Sequence, residues 1–184
     1  MLAYQAGDEG AFDAIVRRYS GQVFGLLTRF LGDRPGREDL VQEVFLRVIR
    51  ARKRYRPEAR FSTWLYRIAF NLSANFQARS GRREALSLNY ESDDTSMVEP
   101  ADEDAPDPSR GLERDDVVHA VRAAIDALPK NQRMALVLAK YEELPYSEIA
   151  LVLESSEKAI KSLVHRAREN LRAALGSYLE EDFA

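Results

Sequence analysis

Apolar residues recur every three or four positions along most of the chain, the period of a helix that buries one stripe. In the stretch from Ala11 to Phe30 the stripe is Phe12, Ile15, Val16, Tyr19, Val23, Phe24 and Leu27, and Gly32-Asp33-Arg34-Pro35-Gly36 then supplies a stop and a turn. Asp39 to Arg54 repeats the pattern with Leu40, Val41, Val44, Phe45, Val48 and Ile49 until Tyr55-Arg56-Pro57 ends it. A third helix is predicted from about Ser62 to Arg79, with Ser62 or Thr63 as N-cap. Further on, Asp115 to Leu128, Lys130 to Glu142, Tyr146 to Leu153 and Glu157 to Leu175 carry the same period, with Pro129 and Pro145 at two joints and Gly176 just past the end. No stretch alternates as a half-buried strand would, so the fold class is all-α.

The pattern breaks once. ESDDTSMVEPADEDAPDPSR, Glu91 to Arg110, holds three prolines, eight acids and no aromatic residue. Such a segment cannot bury enough surface to offset its ordering entropy. The expected organisation is two small helical domains, residues 1–85 and 112–184, joined by a flexible acidic linker over 86–111.

Charge follows the same division. The net charge of -3 is the residue of 16 basic and 9 acidic residues before Glu91, 2 and 9 up to Arg114, and 9 and 12 thereafter. A basic first half with an acidic connector is the asymmetry of a polyanion binder that carries an anionic segment of its own.

The absence of cysteine excludes disulfides, thiol catalysis and cysteine-ligated zinc, and His119 and His165 are too few and too separated for a histidine metal site. The acids cluster in the linker, where no pair is held in a productive geometry, and no glycine-rich phosphate loop or nucleophile-base motif occurs. An enzyme is therefore not expected, and no metal or cofactor. No apolar run approaches the roughly 18 to 20 residues that span a bilayer, and MLAYQAGDEG lacks the regions of a signal peptide. The expected setting is cytoplasmic.

Three constellations could carry function. The sharpest is C-terminal: Tyr146 to Leu153, a short turn at Glu154-Ser155-Ser156, then a long serine-capped helix, the anatomy of a helix-turn-helix in which Ala150 supplies the small side chain where helices cross. On the second helix Ile160, Leu163, Val164, Ala167 and Leu171 trace the buried stripe, whereas Lys158, Lys161, Ser162, His165, Arg166 and Arg168 lie largely off it. Those donors suit phosphates and guanine edges in a major groove, although a plain helical hairpin would also carry a solvated basic face.

The second constellation starts with seven basic residues between Arg47 and Arg60 and runs into FSTWLYRIAFNLSANFQAR. There Leu65, Ile68, Ala69, Leu72 and Phe76 form a core face, while Trp64, Arg67, Asn71 and Asn75 align along another. Aromatics interleaved with arginine and amide groups offer an unstacked strand a stacking surface, phosphate neutralisation and a hydrogen-bonding edge. Packing in the core is the competing reading of the same aromatics. The third is Asp39, Gln42 and Glu43, a polar side of an apolar helix to which spacing alone assigns no partner.

DLVQEVFLRV, FSTWLYRIAFNL, ALPKNQRMALVL, YSEIALVL and RAREN, in this order from about Gly7 to Leu175, resemble the extracytoplasmic-function sigma factors of bacterial RNA polymerase. The resemblance implies a sigma-2 domain that binds the clamp helices of core polymerase and opens the minus-ten element. It also implies a sigma-4 domain that binds the flap and reads the minus-thirty-five element. Asp39, Gln42 and Glu43 then match the clamp-contacting motif, Trp64 and Arg67 the melting region, and Asn71 the position that helps capture an extruded base beside the Arg56 to Ser62 loop. Lys158, Lys161, Ser162, His165 and Arg166 fall on the recognition helix, and the acidic linker matches the segment that threads the RNA path. Promoter DNA, core polymerase and an anti-sigma factor are the implied partners. The alternative from another class is a stand-alone helix-turn-helix regulator whose first half is a dimerisation or signal-binding module.

Overall fold

The computed structural model describes residues 1–32, 34–87 and 108–181, and among these the chain is helical without a strand. Its elements are α1 (Leu2–Gln5), α2 (Gly10–Leu31), α3 (Arg37–Arg50), a 3-10 turn (Arg52–Arg54), α4 (Phe61–Ser87), α5 (Pro108–Ala127), α6 (Lys130–Lys140), α7 (Tyr146–Val152) and α8 (Glu157–Glu181). The all-α class follows the sequence period. The edges of the expected linker, 86–87 and 108–111, fall inside α4 and α5, and its remainder lies outside the described residues.

The first unit packs α2, α3 and α4 against one another. Val23, Leu26, Leu27, Phe30, Val44, Val48, Leu65 and Ala69 are fully enclosed where they meet, and each such large side chain contributes about 1.5 to 3 kcal/mol of burial. The turn between α2 and α3 depends on two glycines in left-handed conformation, Gly32 (φ 70°) and Gly36 (φ 86°). A Cβ on Gly32 would also stand 2.7 Å from the carboxylate of Asp126 in α5, so the turn accommodates a close neighbour as well as a backbone reversal.

The second unit packs α5, α6 and α7 around α8. Met134, Leu138, Ile149, Ile160 and Val164 are fully enclosed, and Ala150 is buried at the crossing, as expected. The Ser156 hydroxyl accepts from the Ala159 N–H (3.2 Å) and caps α8, also as expected. Pro145 in extended conformation precedes the first residue of α7.

The two units share one continuous apolar cluster, in which α2 meets α6 and α4 meets α7. Arg133 of α6 is buried at this junction. Its Nη1 donates to the Phe30 carbonyl (2.8 Å) at the end of α2 and to Asp126 Oδ1 (3.1 Å). Its Nη2 donates to the carbonyls of Leu128 (3.3 Å) and Asp126. Burial lowers the pKa of this guanidinium, while Asp126 opposes the shift.

Several sequence expectations are corrected. Ile49 and Phe24 fall on the apolar stripes yet are exposed, Phe24 lying under the Arg37 guanidinium. Helix α4 begins at Phe61, which places Ser62 and Thr63 in its first turn; the Thr63 hydroxyl donates to Glu148 Oε2 (2.6 Å) instead of capping. Thr63, Tyr66, Phe70 and Ser73 are buried in addition to Leu65, Ala69 and Leu72 of the expected face: α7 meets a second side of the helix at Thr63, and Phe70 packs edge-on against Phe30 of α2.

Candidate nucleic-acid interfaces

The loop after α3 and the start of α4 enclose an aromatic cluster. Tyr55 meets Trp64 edge-on with centroids 4.9 Å apart, and Phe61 lies 5.6 Å from Trp64 and 5.2 Å from Tyr19. This fixes the indole by contact on two sides, while part of it remains accessible. Around it opens a cavity of about 320 Å³, walled by Arg54, Tyr55, Arg56, Trp64 and Arg67 and on its far side by Leu151 of α7. A flat ring between an aromatic wall and three guanidinium groups is a setting in which a splayed base can stack while its phosphates are neutralised. Trp64 thus packs in an aromatic cluster and also lines the cavity. Burial raises the pKa of Tyr55, so this wall is a neutral phenol.

Acidic residues of the helix-turn-helix unit meet this face. Arg60 Nε stands 3.0 Å from Glu148 Oε1, and Arg67 pairs with Glu154. Next to Arg67, the Tyr66 hydroxyl donates to Glu142 Oε2 (2.6 Å). Burial, followed by that carboxylate, pushes the Tyr66 pKa far upward. Asn71 and Asn75 lie beyond these pairs and are exposed.

The basic face of α8 is differently placed. Lys158, Lys161, Ser162, His165, Arg166 and Arg168 are all exposed, while Ile160, Val164 and Ala167 are buried, so the helix presents the side the sequence assigned to it. Among the described residues no ion pair reaches Lys158, Lys161, Arg166 or Arg168; the pairing on this helix is Arg172 with Glu169.

On α3, Asp39 and Gln42 are exposed and Glu43 half-buried. Glu43 Oε1 already accepts from Arg47 Nε (3.2 Å) and Arg50 Nη1 (3.1 Å). The same side carries the exposed Leu46 and Ile49, a mixed polar and apolar strip along the helix.

The structure thus gathers Trp64, Arg67 and Asn71 on α4, keeps the five α8 residues together on another helix, and sets α7 between the two. Sequence reasoning missed Glu142, Glu148 and Glu154, whose role lies in contacts 76, 85 and 87 residues distant in sequence. Their one visible signal is opposite charge to the basic first half. Among the described residues there is no group of three or more metal-ligating side chains, and no helix is long and apolar enough to cross a membrane.

A helix-turn-helix with an open basic helix, joined to a second helical unit bearing an arginine and aromatic cavity, defines a helical protein of the DNA-binding class. Residues 15–83 match the family model of sigma-70 region 2, and residues 119–171 match sigma-70 region 4. The chain is 36% identical to the RNA polymerase sigma-H factor of Pseudomonas aeruginosa over 96% of its own length and 92% of the relative's. It is 33% identical to the ECF RNA polymerase sigma-E factor of Escherichia coli K12, covering 90% and 86% of the two chains. In fold it is similar to the sigma factor RpoE of Bartonella quintana, solved with the anti-sigma factor NepR, with TM-score 0.66, 20% identity and coverage of 90% and 97%. It is likewise similar to CnrH, solved with the cytosolic domain of CnrY, with TM-score 0.65, 23% identity and coverage of 94% and 92%. The chain belongs to the sigma-70 family of RNA polymerase sigma factors, in its extracytoplasmic-function group. It consists of a sigma-2 and a sigma-4 domain, and its function is promoter recognition in transcription initiation, the work of an initiation factor rather than a catalyst.

Proposed function

We propose that the chain directs core RNA polymerase in the cytoplasm by reading two promoter elements on separate surfaces, with no metal or cofactor of its own. The α8 set Lys158, Lys161, Ser162, His165 and Arg166 enters the major groove of the duplex minus-thirty-five element, where long donors suit guanine edges and phosphates. Trp64, Arg67 and Asn71 take the unpaired minus-ten strand at the α4 cavity. Asp39, Gln42 and Glu43 on α3 meet the clamp helices, and the helix-turn-helix unit meets the flap. Residues 86–111 act as the acidic connector between 1–85 and 112–184. An anti-sigma factor is the expected regulator, as in the Bartonella quintana complex.

The observation that carries this reading is the pairing of chemistries: an open row of donors on α8 suited to a closed duplex, and an aromatic cavity rimmed by guanidiniums suited to a single strand. Run-off transcription on genomic promoter fragments, with core polymerase and with or without this chain, tests it. Promoter-specific transcripts should require both components. Tight binding of a duplex operator by a dimer of the chain, with no dependence on polymerase, would favour a stand-alone regulator instead.

A further inference from the structure

Arg52 belongs by sequence to the basic run before α4, yet its side chain is committed to the first helix and not to the cavity. Its guanidinium lies over the Tyr4 ring, 4.1 Å from the centroid, its Nε donates to the Tyr4 carbonyl (2.7 Å) and its Nη1 to Glu9 Oε1 (2.6 Å). A planar fork that stacks and donates in two directions at once is something the ammonium of lysine does not reproduce. Tyr4 is itself buried, its ring 5.2 Å from that of Phe12 on α2. Gly7, at φ 111°, supplies the left-handed residue between α1 and α2, and its N–H shares the Tyr4 carbonyl (3.2 Å) with Arg52. One residue after Tyr4, the Gln5 side-chain amide donates to the Tyr55 carbonyl (3.2 Å). The first helix therefore ties down both ends of the segment 52–55.

That segment leads into one wall of the strand cavity. Arg54, Tyr55 and Arg56 line it, and the same three residues, with Gln5 and Lys53, line a second cavity of about 560 Å³. Lys53, Arg54 and Arg56 are exposed, so the wall is thin. It is anchored through Tyr55, whose ring meets Phe61 and Trp64 edge-on, and through the bonds to α1. We infer that Arg52 and Gln5, acting through the first helix, are positioning residues for the strand cavity: they fix the segment 52–56 so that the Tyr55 wall and the Arg54 and Arg56 guanidiniums stand ready for an unpaired base and its phosphates. This rests on the reading of α4 as the single-strand surface. A wall already in place spares the strand the cost of ordering a loop as it binds. Arg52 then serves DNA binding by its shape and its bonds to α1, not by its charge.

Trp64 is the chain's only tryptophan, so its fluorescence in the full chain reports on the cavity directly. Acrylamide quenching should rise about twofold in Arg52→Ala and Arg52→Lys, and less in Gln5→Met, which keeps the side-chain volume and removes the donor; urea unfolding confirms that each variant is folded. Holoenzyme assembled with either Arg52 variant should bind a fragment already melted at the minus-ten position about fivefold to tenfold more weakly, and with Gln5→Met about threefold more weakly, at an unchanged salt slope. A duplex carrying the upstream element should be bound as by the parent. If Arg52→Lys binds the melted fragment as the parent does while Arg52→Ala loses affinity and about 0.7 of the salt slope, Arg52 is a phosphate contact and the inference is overturned. Unchanged quenching in all three variants, or equal losses on both probes, would overturn it too. Should neither Arg52 variant fold, Gln5→Met decides: raised quenching with weaker binding of the melted fragment supports the tie, and parent-like values overturn it. Trp64→Leu separates the two readings. If it binds the melted fragment like the parent, the α4 reading itself fails and takes this inference with it; if it alone loses affinity, only the positioning role fails.

Discussion

The α4 face and the α8 face are both basic, but one is engaged within the molecule and the other is not. At the start of α4 and on it, Arg60 and Arg67 are paired to Glu148 and Glu154 of the opposite unit, and Thr63 and Tyr66 are buried under it. On α8, Lys158, Lys161, Ser162, His165 and Arg166 all face solvent. Positive charge alone therefore does not define a ready nucleic-acid surface. What differs is the neighbour: α7 packs against both helices, but its Glu148 and, in the turn that follows, Glu154 pair on the α4 side, while Ile149 and Val152 are buried in the shared core. A surface for closed duplex can remain open permanently, whereas one for unpaired strand has no ligand until the duplex has opened.

The largest effect should come from the junction that holds this asymmetry in place. Arg133→Ala removes the donor to the Phe30, Asp126 and Leu128 carbonyls, and a buried polar group left unsatisfied costs about 1 to 3 kcal/mol. A stability loss of about 3 kcal/mol in urea unfolding is expected, with freer exposure of the α4 face and no change at α8. An Arg133→Ala chain as stable as the parent would mean the junction is not anchored there.

Next comes the strip on α3 that is proposed to face polymerase. Glu43→Lys sets a third cation beside Arg47 and Arg50 and removes their acceptor, and charged hydrogen bonds are worth about 1.5 to 3 kcal/mol where a partner desolvates them. Core-polymerase affinity, measured by anisotropy, should fall at least tenfold, while both isolated DNA-binding activities persist. Retained core affinity would return this face to solvated surface.

The individual ion pairs should matter least to stability. Arg60→Ala breaks a pair whose arginine is exposed, while Glu148 keeps its bond from Thr63, and should shift unfolding by less than about 1 kcal/mol, which thermal melting can check. A pH titration probes the buried partner beside it. Tyr66 has its pKa raised above the free value of 10.0 by burial and by Glu142, so the folded chain keeps a proton that the unfolded chain releases. Its contribution is complete below pH 10.0 and is lost as pH rises above it. Tyr66→Phe should flatten that decline; an unaltered slope would show that Tyr66 does not carry it.

Much of this architecture was legible in the sequence, for a physical reason. A buried helical stripe writes a local period, so α2, α6, α7 and the start of α8 fall where the apolar positions place them, and Ser156 caps as its position after the turn suggests. Helix α1 is only four residues long and has no period to show. Tyr66 is buried where a unit distant in sequence meets it through Glu142, so the buried face of α4 is broader than its own stripe. Ion pairing has no period at all: nothing local marks Glu148 or Glu154 as the partners of Arg60 and Arg67. The motifs placed Trp64, Arg67 and Asn71 on one helix, but not what lies over them.

If the two faces read different states of promoter DNA, each should fail on its own probe alone. Holoenzyme assembled with Asn71→Ala or with Arg166→Ala is titrated against two probes, a duplex carrying the upstream element and a downstream fragment already melted at the minus-ten position. Asn71→Ala should weaken only the melted probe, by the roughly 0.5 to 1.5 kcal/mol of a hydrogen bond. Arg166→Ala should weaken only the duplex, by about 1 to 3 kcal/mol if it contacts a base, or with a salt slope reduced by about one if it contacts a phosphate. Equal defects of both variants on both probes would contradict the division of labour between α4 and α8.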